Sequence, residues 1–274
     1  MTEQTVAMYC FLDDFLRIAR PRPADKRRQV SDAEILTTAL LAARYFGGNW
    51  CTAATYMRQH HGMKPLDKSG FGRHLHQLSD VLWAVFHALG ETLKDLNTAT
   101  RYVIDSFPVA VCDNMRIGRC KLLKGKAYHG YTASKRRYFY GFKVQLVVTS
   151  AGVPVDFYIH AGAEADQTGL RALAPQLPEG SVLYADAGYT DYLAEDVWAD
   201  AGQQALLAAR KGNSKRPHHP AQAFLIQHFR KRVETSISGI TALFPKKIHA
   251  VTAQGFALKL MLFIFAYTLQ TQLD

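Results

Sequence analysis

The feature that most constrains the fold is a change of hydrophobic periodicity close to Asn97. Before this point, apolar residues recur every three or four positions, which is typical of amphipathic helices. After it, short apolar runs alternate with helical patterns, which is typical of a sheet that carries helices on its faces. We therefore expect an all-helical domain over residues 1–97 and an α/β domain over residues 98–274.

The helical region contains a pattern that occurs in DNA-binding helix-turn-helix domains. Two short helices and a tight connection precede a helix whose start carries Lys68 and Arg73. A packing or dimerisation domain would show the same three helices. Helices are predicted over residues 5–18, 31–46, 50–60 and 69–96, and a loop with five basic residues is predicted over residues 20–28.

The order of elements after Asn97 predicts a mixed five-stranded sheet flanked by helices. Three strands come first, and helices and strands alternate after them. The last apolar stretch, residues 256–269, contains Lys259 and is too short to span a membrane comfortably, so we interpret it as a core helix and expect no membrane partner. Strands are predicted over residues 102–104, 138–149, 153–161, 182–185 and 204–208, and helices over residues 167–177, 192–201 and 222–244.

The charge balance indicates a polyanionic partner. Lys and Arg number 33 against 23 Asp and Glu, which gives a formal net charge of +10. A basic protein of this kind commonly binds nucleic acid, although a merely basic surface has the same composition. The four cysteines form no C-x-x-C pair, which argues against a structural zinc site and fits idle thiols in a reducing compartment. No signal-peptide pattern appears at the start, so we expect a cytoplasmic protein.

Two aspartates share a setting that is typical of metal sites. Asp105 and Asp186 each follow a short apolar run that reads as a buried strand. If the two strands are parallel neighbours, both carboxylates emerge at one edge of the sheet. Carboxylates that close repel each other, and hard divalent cations such as Mg²⁺ or Mn²⁺ relieve that repulsion. An isolated aspartate after a strand is more commonly a turn or capping residue.

A third carboxylate is expected from the helix predicted over residues 222–244. Glu234 flanks the apolar stripe of this helix, and Arg230 lies one turn earlier on the same side. Arg230 would there hold Glu234 or grip a phosphate. A surface Arg–Glu pair of little energetic value is the simpler alternative. Asp166 and Asp191 are further acids in this region, and we interpret both as helix-capping residues.

At these residues the chain resembles the DDE transposases of bacterial insertion sequences. Asp186 follows Asp105 by 81 positions, and Glu234 follows Asp186 by 48. Four short motifs carry this resemblance. Each motif alone is weak, but the four in this order form a fairly specific signal over residues 101–274. The motifs are Ile104-Asp105-Ser106-Phe107-Pro108, Tyr140-Gly141-Phe142-Lys143, Asp186-Ala187-Gly188-Tyr189 and Arg230-Lys231-Arg232-Val233-Glu234.

The resemblance implies a ribonuclease-H-like fold and a magnesium-dependent DNA transposase. Asp105, Asp186 and Glu234 would be the catalytic residues and the metal ligands, with Mn²⁺ able to replace Mg²⁺. Pairing of two transposon ends would imply a homodimer or a larger assembly. Related transposases often carry Tyr three positions before the Arg and Lys seven positions after the Glu, whereas this chain has Gln227 and Thr241 there. Lys246 or Lys247 would have to supply the missing cation.

Two basic stretches are candidate DNA contacts. The stretch 115–137 interleaves basic residues with Tyr128, His129 and Tyr131, a composition that suits a phosphate backbone and unpaired bases. The second stretch, 211–219, is a basic loop that contains Lys215 and Arg216. A solvated loop is the alternative for both stretches. The candidate DNA-binding residues are Arg116, Arg119, Lys121, Lys124, Lys126, Lys135, Arg136, Arg137, Lys143, Lys215, Arg216 and Arg230, with Lys68 and Arg73 in the helical region.

Two other functions fit the same residues. A metal-dependent nuclease would use the same acids but would yield no joined product. A non-catalytic DNA-binding regulator descended from a transposase would keep the basic surface without the chemistry, and the intact set of three acids disfavours it.

Overall fold

The computed structural model describes residues 1–19, 29–132, 135–202 and 204–273, and it divides into two compact units. The helical unit comprises residues 1–88 and 240–274, and the sheet unit comprises residues 89–239. The C-terminal residues thus group with the N-terminal helices, although the sequence assigned them to the α/β domain. The boundary at residue 97 stays a prediction, and the loop predicted at residues 20–28 lies outside the described residues.

The helices follow the predicted periodicity, with one correction. The helix predicted over residues 69–96 is divided at Leu78, where α4 ends and α5 begins. Leu75, Leu78 and Leu82 are all buried, so the apolar stripe continues through the break and could not reveal it. The helices are α1 (Thr2–Ala19), α2 (Asp32–Tyr45), α3 (Trp50–His61), α4 (Lys68–Gln77), α5 (Ser79–Asp95), α6 (Asp166–Leu173), α7 (Tyr192–Gly202), α8 (Pro220–Ala242) and α9 (Ala253–Leu273).

Local chemistry explains where helices of the helical unit begin. The predicted capping box of α2 is confirmed, because the Glu34 N–H donates to Ser31 Oγ at 3.1 Å and the Ser31 N–H donates to Glu34 Oε2 at 2.7 Å.

Helix α9 is long and apolar enough to cross a membrane by length and composition, but 61% of its most apolar window is buried inside the protein. It packs against α2, as expected of a core helix.

The sheet unit is built around one long strand. Strand β1 was predicted over residues 102–104, but it continues to Cys112 because β3 pairs with it antiparallel from Tyr102–Thr149 to Cys112–Tyr140. Asp105 therefore lies within a strand and not after one. The strands are β1 (Arg101–Cys112), β2 (His129–Thr132), β3 (Arg137–Thr149), β4 (Pro154–Ala161), β5 (Val182–Ala185) and β6 (Ala205–Ala208).

The described strands form a mixed sheet of six, one more than predicted. Their order is β2-β3-β1-β5-β6, and β4 also pairs with β3. Strand β3 is antiparallel to β1, β2 and β4, whereas β5 is parallel to both β1 and β6. The extra strand, β2, is only four residues long and has no run of apolar side chains, so hydrophobic periodicity did not reveal it.

The alternation of side chains along β1 separates two layers. Tyr102 and Ile104 point into a core that contains Leu170 of α6 and Leu183 of β5. Residues at odd positions, including Asp105, point to the opposite face. On that face Tyr184 of β5 stacks on Phe229 of α8, with ring centroids 4.7 Å apart. The two faces of β1 therefore carry different helices.

Candidate active site

The register of two parallel strands brings Asp105 and Asp186 together. Strands β1 and β5 are parallel neighbours, as a shared edge required, and Val103 pairs with Tyr184. Asp105 lies two residues beyond Val103 on β1, and Asp186 lies two residues beyond Tyr184, directly after the end of β5. The spacing of 81 residues that separates the two acids is the offset of this strand pair.

Helix α8 carries Arg230 and Glu234 to the same place. Phe229 and Val233 are buried and hold α8 against the sheet. Ser236, also buried, donates its hydroxyl to the Gly152 carbonyl at 2.6 Å and ties α8 to the turn between β3 and β4. Arg230 and Glu234 lie at the margin of this packed stripe, as the amphipathic pattern predicted.

The three acids surround one nitrogen of Arg230. Its Nη2 atom lies 3.8 Å from Asp105 Oδ2, 3.5 Å from Asp186 Oδ2 and 3.9 Å from Glu234 Oε1. Any two of these oxygens are therefore separated by less than about 8 Å, a span that two metal ions at a typical spacing can bridge. Residues far apart in the chain thus form one acidic cluster.

The electrostatics of the cluster favour a bound cation. Burial raises the pKa of Asp105 to about 6, and the neighbouring Asp186 and Asp166 add to the increase. The Ser106 backbone N–H and the Arg230 guanidinium act in the opposite direction. Asp186 accepts a hydrogen bond from the Gly188 N–H. Positive charge at this cluster therefore stabilises the ionised carboxylates.

The family comparison covers the region that contains the cluster. The family model of the transposase DDE domain matches residues 96–243, more than half of the chain, including all three acids. The chain belongs to the family of DDE-domain transposases. The resemblance drawn from four short motifs is thus confirmed at the level of the family, whereas an origin in a bacterial insertion sequence stays a prediction.

One solved structure and the curated sequences complete the comparison. The cryo-EM structure of the piggyBac transposase synaptic complex with hairpin DNA aligns with 96% of this chain and 71% of that chain, at 9% identity and a TM-score of 0.46. No curated protein sequence is similar enough to count as a relative of this transposase chain.

The donor atoms of the cluster fit hard divalent cations in type. All three side chains offer carboxylate oxygens, which Mg²⁺ and Mn²⁺ prefer. Within the described residues, no group of three or more His, Cys, Asp or Glu side chains is as close together as a bound metal requires. The guanidinium of Arg230 lies between the acids, so the carboxylates would have to draw together around ions.

Asp166 does not cap a helix as predicted. It is the first residue of α6, and the N-cap position, Ala165, makes no side-chain capping bond. The Asp166 carboxylate instead accepts hydrogen bonds from Ser106 Oγ at 2.8 Å and Lys143 Nζ at 3.2 Å. Asp191, by contrast, does cap α7 by accepting from the Ala194 N–H at 3.3 Å. The sequence did not reveal this role of Asp166, because its partners lie on β1 and β3, far from α6 along the chain.

Most of the candidate DNA-binding side chains lie on the surface. The basic residues of the stretch 115–137 are exposed, and the stretch contains two short 3₁₀ turns and strand β2 in addition to loops. Arg216 is exposed but is paired with Asp196 through two hydrogen bonds. Lys143 is largely buried and donates to the Glu164 carbonyl as well as to Asp166. These two cations are therefore already paired in the protein.

The aromatic residues in and beside the basic stretch differ in exposure. Tyr128 packs edge-on against Tyr140 and Phe142, so it forms part of the sheet packing. Tyr131 and Tyr138 are exposed, with ring centroids 4.8 Å apart. This second pair is accessible to an unpaired base.

Proposed function

We propose that this protein is a DNA transposase that cleaves at the ends of its mobile element and joins the 3′-hydroxyls to target DNA by two-metal-ion phosphoryl transfer. The observation that supports it most directly is the approach of Asp105, Asp186 and Glu234 to one nitrogen of Arg230. All of these residues lie inside the region that matches the DDE domain.

The strand order supports a ribonuclease-H-like catalytic core. Strand β3 pairs antiparallel with β1, β2 and β4, and the parallel strands β5 and β6 follow on the other side of β1. Helices lie on both faces of β1. This arrangement brings an acid within the long central strand close to an acid that follows its parallel neighbour, where an acid on a helix can join them.

Each side chain of the cluster has a role that follows from its position. Asp105, which is partly buried, would contact both ions, while Asp186 and Glu234 would each hold mainly one. Bound Mg²⁺ or Mn²⁺ supplies Lewis-acid activation of the attacking oxygen and neutralises charge at the scissile phosphate. Arg230 balances the acids in the free protein and is within reach of a phosphate that approaches them.

The surface of the protein suits DNA as its partner. The exposed basic side chains of the stretch 115–137 and a net charge of +10 provide a sequence-independent attraction to phosphates. The helical unit, with Lys68 and Arg73 exposed on α4, would recognise the transposon ends. Two ends have to be held for joining, so we propose a homodimer that acts in the bacterial cytoplasm.

The decisive experiment replaces one atom of the cluster. Asp105→Asn should abolish Mg²⁺-dependent cleavage of a DNA fragment that carries the element's end, while end binding in a mobility-shift assay stays unchanged. Asp200→Asn, an exposed acid on α7, is the matched control and should cleave like the wild type. Full cleavage by Asp105→Asn would refute the proposal.

Two assays separate the alternative functions. Precut ends supplied with target DNA should give joined products, and cleavage without joining would identify a nuclease. A protein that binds DNA but never nicks it, with or without Mg²⁺, would be a regulator.

A further inference from the structure

A network on the opposite face of β1 connects to both catalytic aspartates. Its centre is Asp166, whose carboxylate accepts hydrogen bonds from Ser106 and Lys143. We propose that Asp166 is a positioning residue that holds Asp105 and Asp186 in the geometry that metal binding requires. This inference rests on the proposed function, because it assigns Asp166 a task in the same site.

The connection to Asp105 runs through Ser106. Asp166 Oδ1 accepts from Ser106 Oγ at 2.8 Å, and the Ser106 backbone N–H donates to Asp105 Oδ1 at 2.8 Å. Successive side chains of a strand point to opposite faces, so Asp166 holds the serine from one face while the serine's amide holds Asp105 on the other. The position of the Asp105 carboxylate therefore depends on a bond made behind the strand.

The connection to Asp186 runs past Gly188. The Gly188 N–H donates to Asp186 Oδ1. A β-carbon at position 188 would lie 3.0 Å from Asp186 Oδ1 and 3.1 Å from Asp166 Oδ2. The two carboxylates thus flank this glycine, and a side chain there would push against both. Asp166 therefore forms one wall of the turn that orients Asp186.

Asp166 is itself fixed by two residues of β3. Gln145 is fully buried and donates from Nε2 to the Asp166 carbonyl at 2.7 Å. Lys143 bonds the Glu164 carbonyl at 2.9 Å and balances the charge of Asp166. Gly169, one turn into α6, allows this approach, because a β-carbon there would overlap the side-chain amide of Gln145. These bonds from two β3 side chains restrict the position of Asp166.

A purely structural role makes a different prediction. An acid in the first turn of a helix is stabilised by the helix dipole, and its loss would lower stability without altering the metal site. The Asp191→Ala variant tests for this effect. Asp191 caps α7 and pairs with Arg171, and the hydrogen bonds given for it join neither Ser106 nor Gly188.

The experiment measures Mn²⁺ binding by calorimetry on the full chain without DNA, alongside cleavage rates over a range of Mg²⁺ concentrations. Asp166→Ala should weaken Mn²⁺ binding and raise the Mg²⁺ concentration for half-maximal cleavage by about 10–100-fold, the usual effect of losing a residue that orients metal ligands. Ser106→Ala should show a smaller shift of the same kind. Asp191→Ala should lower the melting temperature and leave Mn²⁺ affinity unchanged.

The outcomes distinguish this inference from the proposed function. A wild-type protein that neither binds Mn²⁺ nor cleaves DNA would refute the proposed function and this inference with it. A wild-type protein that does both, with unchanged metal affinity in a folded Asp166→Ala variant, would overturn the positioning role alone. If circular dichroism shows that Asp166→Ala is unfolded, Asp166→Asn replaces it; the proposal expects weaker Mn²⁺ binding there also, and wild-type affinity overturns it.

Discussion

The two faces of β1 differ in how tightly they hold polar groups. On the α8 face, Arg230 lies 3.5–3.9 Å from the three acids, distances of ion pairs without good hydrogen bonds, and the Glu234 side chain is 59% exposed. On the α6 face, Asp166, Ser106, Lys143 and Gln145 are joined by hydrogen bonds of 2.7–3.2 Å. One face is loosely arranged and open to ions, while the other is fixed. The comparison teaches that a rigid network can lie directly behind a cluster whose carboxylates have to rearrange.

The largest expected effect is on the open face. Glu234→Gln removes a negative oxygen from an exposed side chain, so stability should not change, but Mg²⁺-dependent cleavage should fall by at least on the order of 10²–10³-fold. Lys231→Gln, an exposed change on the same helix, is the control and should retain most of the cleavage activity. A similar loss of cleavage in both variants would mean that any charge change on the surface of α8 reduces activity, and it would contradict a specific role of Glu234.

The buried acid of the open face should show a cost in stability. The folded-state pKa of Asp105 is about 6, above its ordinary 3.8, so the folded protein binds more protons between these values and loses stability as pH rises through them. Without metal, Asp105→Asn should therefore stabilise the protein at pH 7 by up to about 3 kcal/mol. Urea unfolding with a chelator at pH 4 and pH 7 measures this, and equal pH dependence in both proteins would contradict it.

The turn between Asp186 and Asp166 should tolerate little change in shape. Gly188→Ala places a methyl group 3.0–3.1 Å from two carboxylate oxygens, so Asp186 has to shift by a few tenths of an ångström. We expect about a tenfold loss of cleavage, at the lower end of what residues that orient ligands contribute. Gly212→Ala, where a β-carbon meets open space, is the matched control. Unchanged kinetics in Gly188→Ala would show that the turn adapts.

The smallest effects are expected among the surface cations. Arg116→Ala and Arg119→Ala should each weaken DNA binding and reduce the slope of log K against log salt by about 0.9 for each phosphate that the arginine neutralises. Arg216→Ala should change the slope less, because Arg216 is already paired with Asp196. Binding titrations at several salt concentrations compare the three variants. A larger change for Arg216 would indicate that DNA displaces Asp196.

Local patterns in the sequence predicted most of the elements. The capping box at Ser31, the hairpin of β3 and β4, the short strand β5 and the amphipathic stripe of α8 all lie close to their predicted bounds. Each is specified by residues within about one element's length, through hydrophobic period or capping chemistry. The elements that were missed, β2 and the far half of β1, form by backbone pairing with β3.

The sequence by itself determined the acids and their order, because Asp105, Asp186 and Glu234 can be read from motifs that each occupy a few neighbouring positions. Only the tertiary structure decided that Arg230 lies among the three acids and that Asp166 stands behind Asp105. The physical reason is that a strand register or a hydrogen bond across a sheet joins residues many positions apart. Such a bond depends on distance in space, which a periodicity along the chain does not encode.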